Sequence, residues 1–177
     1  MNHPNKVPTW CNNQGPCMLA AGEGFLTALA LWARAFPGTP GHVGEARRFV
    51  AHLLQGSPFH DDAMLVLSEL FTNAVLHTES GKPGGLVTVQ IARWRHGVRI
   101  AVTDQGSLSQ PVIRDPTGSG GPAESGHGLY LAAHLAGHLA WHDDPSGRTI
   151  AAAFGKVAPE HTHLRSCGIS NPVEGAR

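Results

Sequence analysis

A chain of 177 residues is long enough for one domain with a proper core. Lys and Arg number 13 and Asp and Glu also number 13, so no net field draws the protein to nucleic acid or an anionic membrane. No apolar run approaches the ~18 residues of a membrane span, and the Met1-Asn2-His3-Pro4-Asn5-Lys6 terminus lacks the apolar centre of a signal peptide. The three cysteines, Cys11, Cys17 and Cys167, are odd in number and lie in polar end segments, which argues against a disulfide framework. A cytoplasmic protein is expected.

In chain order, residues 1–25 carry Pro4, Pro8 and Pro16 without periodicity and read as a flexible tail. Cys11 and Cys17 match no zinc spacing. The domain is expected over 26–157. Leu26 to Phe36 is apolar enough for a strand, ended by Pro37-Gly38-Thr39-Pro40-Gly41. Val43 to Leu54 reads as a helix, with Val43, Ala46, Val50, Leu53 and Leu54 at helical spacing. Arg47-Arg48 at its centre suits solvated surface, a partner or a phosphate.

The next helix organises the chain. Ser57-Pro58 is a start signal, a capping hydroxyl followed by a proline; Gly81 and Pro83 are stop signals. Ala63, Leu67, Leu70, Phe71, Ala74 and Val75 form the core-facing stripe. Glu69, Asn73 and His77 follow at i, i+4, i+8 and line a second face. A carboxylate and a carboxamide one turn apart can offer one ligand a proton acceptor and a metal-binding oxygen. The plainer alternative is a wet polar face.

Val87, Val89 and Ile91 alternate with polar residues at strand period, and Val98, Ile100 and Val102 form a partner strand across a reversal at Arg95-His96-Gly97, where Gly97 is able to take a positive φ. Continued alternation sets Asp104 on the core-facing side. A carboxylate there costs several kcal/mol unless a donor meets it, and Gly106 leaves room for a flat ligand to approach the backbone. A solvated turn is the competing reading of Asp104-Gln105-Gly106. Residues 107–125, rich in glycine and proline, have the length and composition of a lid or of disorder. Gly126-His127-Gly128 then opens a helix over Leu129 to Ala136, and open backbone N–H groups at such a start attract an anion. Neither a dinucleotide fingerprint nor a P-loop is present. Gly137 to His142 and Thr149 to Phe154 form a final hairpin across Asp143-Asp144-Pro145-Ser146-Gly147. Residues 158–177 read as a second tail, whose His161, His163 and Cys167 are more simply solvated than metal-binding.

Each motif is weak singly, but their order is specific. Glu69-Leu70-Phe71-Thr72-Asn73-Ala74, then Asp104-Gln105-Gly106, then Gly126-His127-Gly128-Leu129 resembles the successive boxes of the ATP-binding fold shared by gyrase B, Hsp90, histidine kinases and MutL. More narrowly, Ala46-Arg47-Arg48-Phe49-Val50, the Ser68 to Thr78 stretch, and Glu124-Ser125-Gly126-His127-Gly128-Leu129-Tyr130-Leu131 resemble the anti-sigma-factor serine kinases and their stand-alone actinobacterial relatives. The resemblance spans about residues 28–156.

The resemblance implies a two-layer α/β sandwich, a mixed and mostly antiparallel sheet with helices on one face. By it, Asn73 binds Mg²⁺ bridging the ATP phosphates, Glu69 is the general base, and Asp104 accepts a hydrogen bond from the adenine amino group. Gly106 lies near the base; Gly126, Gly128 and the neighbouring Leu129 belong to the box that closes on the phosphates; His77 is structural or near the phosphates. His127 stands where relatives frequently carry arginine, and a neutral imidazole holds a triphosphate less firmly than a guanidinium. The aspartate box also lacks the second glycine of the wider superfamily. The implied function is an ATP-dependent serine/threonine protein kinase that phosphorylates an anti-anti-sigma factor and sequesters a sigma factor, with homodimers common among relatives and no direct contact with nucleic acid or membrane. The alternative is a binding module that regulates a partner by sequestration without phosphoryl transfer. The catalytic piece of a histidine kinase is a weaker third reading, since residues 1–40 leave no room for a dimerisation bundle.

Overall fold

The computed structural model describes residues 30–107, 111, 127–145 and 147–155. Both predicted tails, with their cysteines, and most of the glycine-rich segment before the third helix, Gly126 included, lie outside these residues.

Among the described residues five strands form one sheet: β1 (Ala30–Pro37), β2 (Leu86–Trp94), β3 (Gly97–Asp104), β4 (His138–Asp144) and β5 (Gly147–Gly155). Their spatial order is β1-β2-β3-β5-β4, and every pairing is antiparallel. Because side chains alternate along a strand, register decides which residues share a face. Val89 sits across from Val102 and Ile91 across from Ile100, while on the other flank of β3 Val102 meets Ile150 and Val98 meets Phe154. These apolar side chains therefore share one face.

Among the described residues three α-helices cover that face: α1 (Val43–Leu53), α2 (His60–His77) and α3 (His127–Leu135). α1 contributes Ala46 and Val50, α2 contributes Ala63, Met64, Val66, Leu67, Leu70, Phe71 and Ala74, and α3 contributes Leu129 and Ala132 to the single core. Burial of each large side chain there supplies about 1.5–3 kcal/mol. Phe36 of β1 meets Phe71 of α2 edge-on, with ring centroids 6.1 Å apart, which ties the edge strand to the central helix.

α2 is shorter than its signals at both ends. It starts at His60, and Ser57 Oγ accepts the Phe59 N–H (3.3 Å) in the preceding turn instead of capping the helix. Asp61 and Asp62 in the first turn supply the negative charge that the helix N-terminus favours. The helix stops at His77, because Thr78 turns extended (φ −131°, ψ 173°) while its hydroxyl donates to the Ala74 carbonyl at 2.6 Å. Val75 is only half-buried.

Gly97 does not use its freedom to take a positive φ; it begins β3, and a Cβ there would collide with the Trp94 ring and the Phe154 carbonyl. Close approach, not backbone conformation, requires glycine at that position.

Candidate active site

Two junctions build the candidate site: the start of α3 meets the middle of α2, and the turn after β3 is tied to the segment that follows α2. Helical geometry sets Glu69 and Asn73 one turn apart on α2, both half-buried, whereas His77 a turn later is exposed. Gly128 lies against Glu69. A Cβ built on Gly128 would fall under 3.0 Å from Glu69 Oε2 and 3.3 Å from its Cβ and Cδ. The missing side chain is what lets the start of α3 close onto the carboxylate. His127 opens α3, and Leu129 is buried in the core, so its side chain packs there.

Asp104 ends β3 on the core face with 4% of its surface exposed. Burial raises its carboxyl pKa above the usual carboxylate value. The N–H of Gly106, the charge of Arg148 and the backbone N–H of Arg148 pull it back, and the neighbouring Asp143 charge pushes it further up. Oδ1 accepts the Gly106 N–H at 2.6 Å, closing a tight turn in which Gly106 has φ +78°. That conformation is why glycine stands there.

The Asp104 turn is stapled to the end of α2 by groups that period alone does not flag. Ser80 is fully buried; its hydroxyl donates to the Leu86 carbonyl (2.6 Å) and accepts the Gln105 N–H (2.9 Å). The Glu79 N–H donates to the Gly106 carbonyl (2.9 Å), and Gln105 Oε1 accepts the Leu86 N–H (3.2 Å). Thr78 accepts the Ser80 N–H (3.2 Å), which links this strap to the last turn of α2. A short polar segment between helix and strand shows only turn composition in sequence, so its role in holding Asp104 was illegible there.

Arg148 is the second group missed. It faces Asp104 across the β3–β5 ladder, 5% exposed, and forks onto Asp143 through Nε (2.5 Å) and Nη2 (3.3 Å). The fork pins the guanidinium beside a desolvated carboxylate. The strand alternation of Arg148 with Ile150 and Ala152 carried this signal, obscured by the adjacent turn.

These donors and acceptors fit a nucleotide. Ionised Asp104 accepts only, so a buried ligand must present it an N–H or O–H. Glu69 and Asn73 offer a proton acceptor and a neutral oxygen, and Gly128 brings the start of α3 against Glu69. Among the described residues, no group of three or more His, Cys, Asp or Glu side chains is placed to hold a metal alone. A cation here would draw further ligands from the bound substrate.

An antiparallel sheet, covered by helices on one face and with polar groups gathered at one end of its central strand, is the architecture of an ATP-binding α/β sandwich. Residues 36–154 match the family described as the histidine kinase-like ATPase domain, and the chain belongs to that family. Among curated proteins, none matches the chain. No helix among the described residues is long and apolar enough to cross a membrane.

Proposed function

We propose that this ATP-binding domain is a regulatory serine/threonine protein kinase of the anti-sigma-factor type, which phosphorylates an anti-anti-sigma protein and holds a sigma factor. The observation that supports this reading is the closure of Gly128 onto Glu69, which sets the start of α3 beside the proposed base. Asp104 accepts from the adenine amino group and sets the base end of the substrate. Asn73 offers its carboxamide oxygen to Mg²⁺, which when bound neutralises phosphate charge. Glu69 takes the proton from the partner's hydroxyl as that oxygen attacks the γ-phosphorus, and the bond from phosphorus to the β–γ bridging oxygen breaks so that ADP leaves. Positioning and charge neutralisation supply most of the rate in such transfers, so these few groups suffice. The replacement of arginine by His127 favours, as a second reading, a module that binds its partner without transfer.

The test is incubation of the protein with Mg²⁺, γ-labelled ATP and a co-encoded partner. Label on a partner serine or threonine supports the kinase; ATP binding without label supports the module. Asn73→Ala should lose Mg-ATP binding and transfer together. Glu69→Gln should keep binding within a few-fold while transfer falls about 10²–10⁴-fold. A Glu69→Gln variant that loses binding as fully as Asn73→Ala would remove Glu69 from the role of base.

A further inference from the structure

At the opposite end of β3 from Asp104, a cleft of about 390 Å³ opens between the β2–β3 turn and the segment leading into α2. Eight residues of strand separate the two places, about 23 Å along β3. Half-buried Phe59 gives the cleft an apolar wall beside Gly97 and Gly155, while Val98, which also lines it, keeps its side chain in the core. Two arginines, Arg93 and Arg95, line its rim beside His96, and no carboxylate is among the described lining residues. In a chain of zero formal net charge this is a local excess. Arg93 is held in place, donating from Nη1 to the Leu53 carbonyl at the end of α1 (3.2 Å), while Arg95 and His96 project exposed from the turn. The nearest acids on α2, Asp61 and Asp62, are exposed, and Asp61 is already engaged by His60 at 2.8 Å.

We infer that this cleft is a docking site for an acidic segment of a partner protein, one in which carboxylates flank an apolar side chain. The volume is at the small end of ligand pockets and suits a few side chains. The apolar side chain would sit on the half-buried Phe59, and the flanking carboxylates would meet the two arginines. Arg93 needs no ordering before it binds, which lowers the cost of capture. A partner held here leaves the nucleotide site open, so docking and ATP binding are separable.

The full-length protein, labelled with ¹⁵N, is titrated with a fluorescein-tagged ten-residue peptide in which glutamates flank leucines, and with the same peptide carrying glutamines. The glutamate peptide should bind, shifting the amides of Phe59, Arg95, His96, Gly97 and Gly155, and should weaken as salt is raised. The glutamine peptide should bind about tenfold more weakly. Replacing Arg95 and His96 together by alanine should cost a similar factor without altering the melting temperature or the response to Mg-ATP. Equal binding of both peptides, shifts confined to other residues, no binding by either, or full affinity in the double variant would each overturn the assignment.

Discussion

Gly128→Ala should separate stability from catalysis. Gly128 is the second residue of α3 and is not among the glycines with positive φ, so alanine meets no backbone strain. Alanine improves helix propensity by up to about 1 kcal/mol over glycine, less in a first turn. The added methyl cannot coexist with the Glu69 side chain as placed, since Oε2 would be under 3.0 Å away and Cβ and Cδ at 3.3 Å. Glu69 is half-buried and flexible, so its carboxylate should yield by about 1 Å, a displacement that typically costs about 10²-fold in rate. The Gly128 N–H survives, so phosphate contacts made by backbone remain. The melting temperature should hold or rise, nucleotide affinity should stay within a few-fold, and partner phosphorylation should drop about a hundredfold. Calorimetry, titration with a fluorescent ATP analogue and a transfer assay read the three quantities. Unchanged transfer would show that the Glu69 carboxylate does not set the rate. Loss of nucleotide binding in step with transfer would assign the space beside Gly128 to the phosphates.

Mg-ATP at about 100 times its dissociation constant should stabilise the fold by roughly 2.7 kcal/mol, a melting shift of about 5–10 °C for a domain this size; no shift at millimolar nucleotide would contradict ATP binding. Asp104→Asn should weaken ATP by about 1.5–3 kcal/mol through loss of a charge-assisted acceptor and affect GTP less, whereas equal losses would make Asp104 structural. Burial raises the Asp104 pKa in the folded state, so its ionisation costs stability as pH rises from the unfolded carboxyl's range through the raised value, and the cost persists above it. The difference in melting temperature, Asp104→Asn minus wild type, should therefore be more positive near pH ~7 than near pH ~3; a pH-independent difference would refute the desolvation argument. Ser80→Ala leaves the Gln105 N–H without its partner and should cost about 1–3 kcal/mol of stability while lowering ATP affinity through the loosened Asp104 turn; intact affinity in a destabilised variant would confine Ser80 to folding.

What the sequence by itself determined is whatever depends on near-neighbour periodicity. The 3.6-residue stripe of α2 set Glu69 and Asn73 on one face, and the two-residue alternation of β3 turned Asp104 inward, because chain geometry alone orients side chains within an element. The order of the three boxes was enough to expect an ATP-binding sandwich, now matched by the family of residues 36–154. Tertiary structure decided the rest, because it depends on which elements meet. The burial of Ser80 and its bonds to Leu86 and Gln105 exist only once β2 and β3 pair beside the end of α2. Arg148 reaches Asp104 only through the β3–β5 register. The end of α2 at His77, ahead of the Gly81 signal, follows from Thr78 turning its backbone away to build that strap. Gly97 and Gly128 are glycines for the sake of a Trp94 ring and a Glu69 carboxylate that pack against them, a requirement set by close approach and so invisible until the fold brings those side chains in.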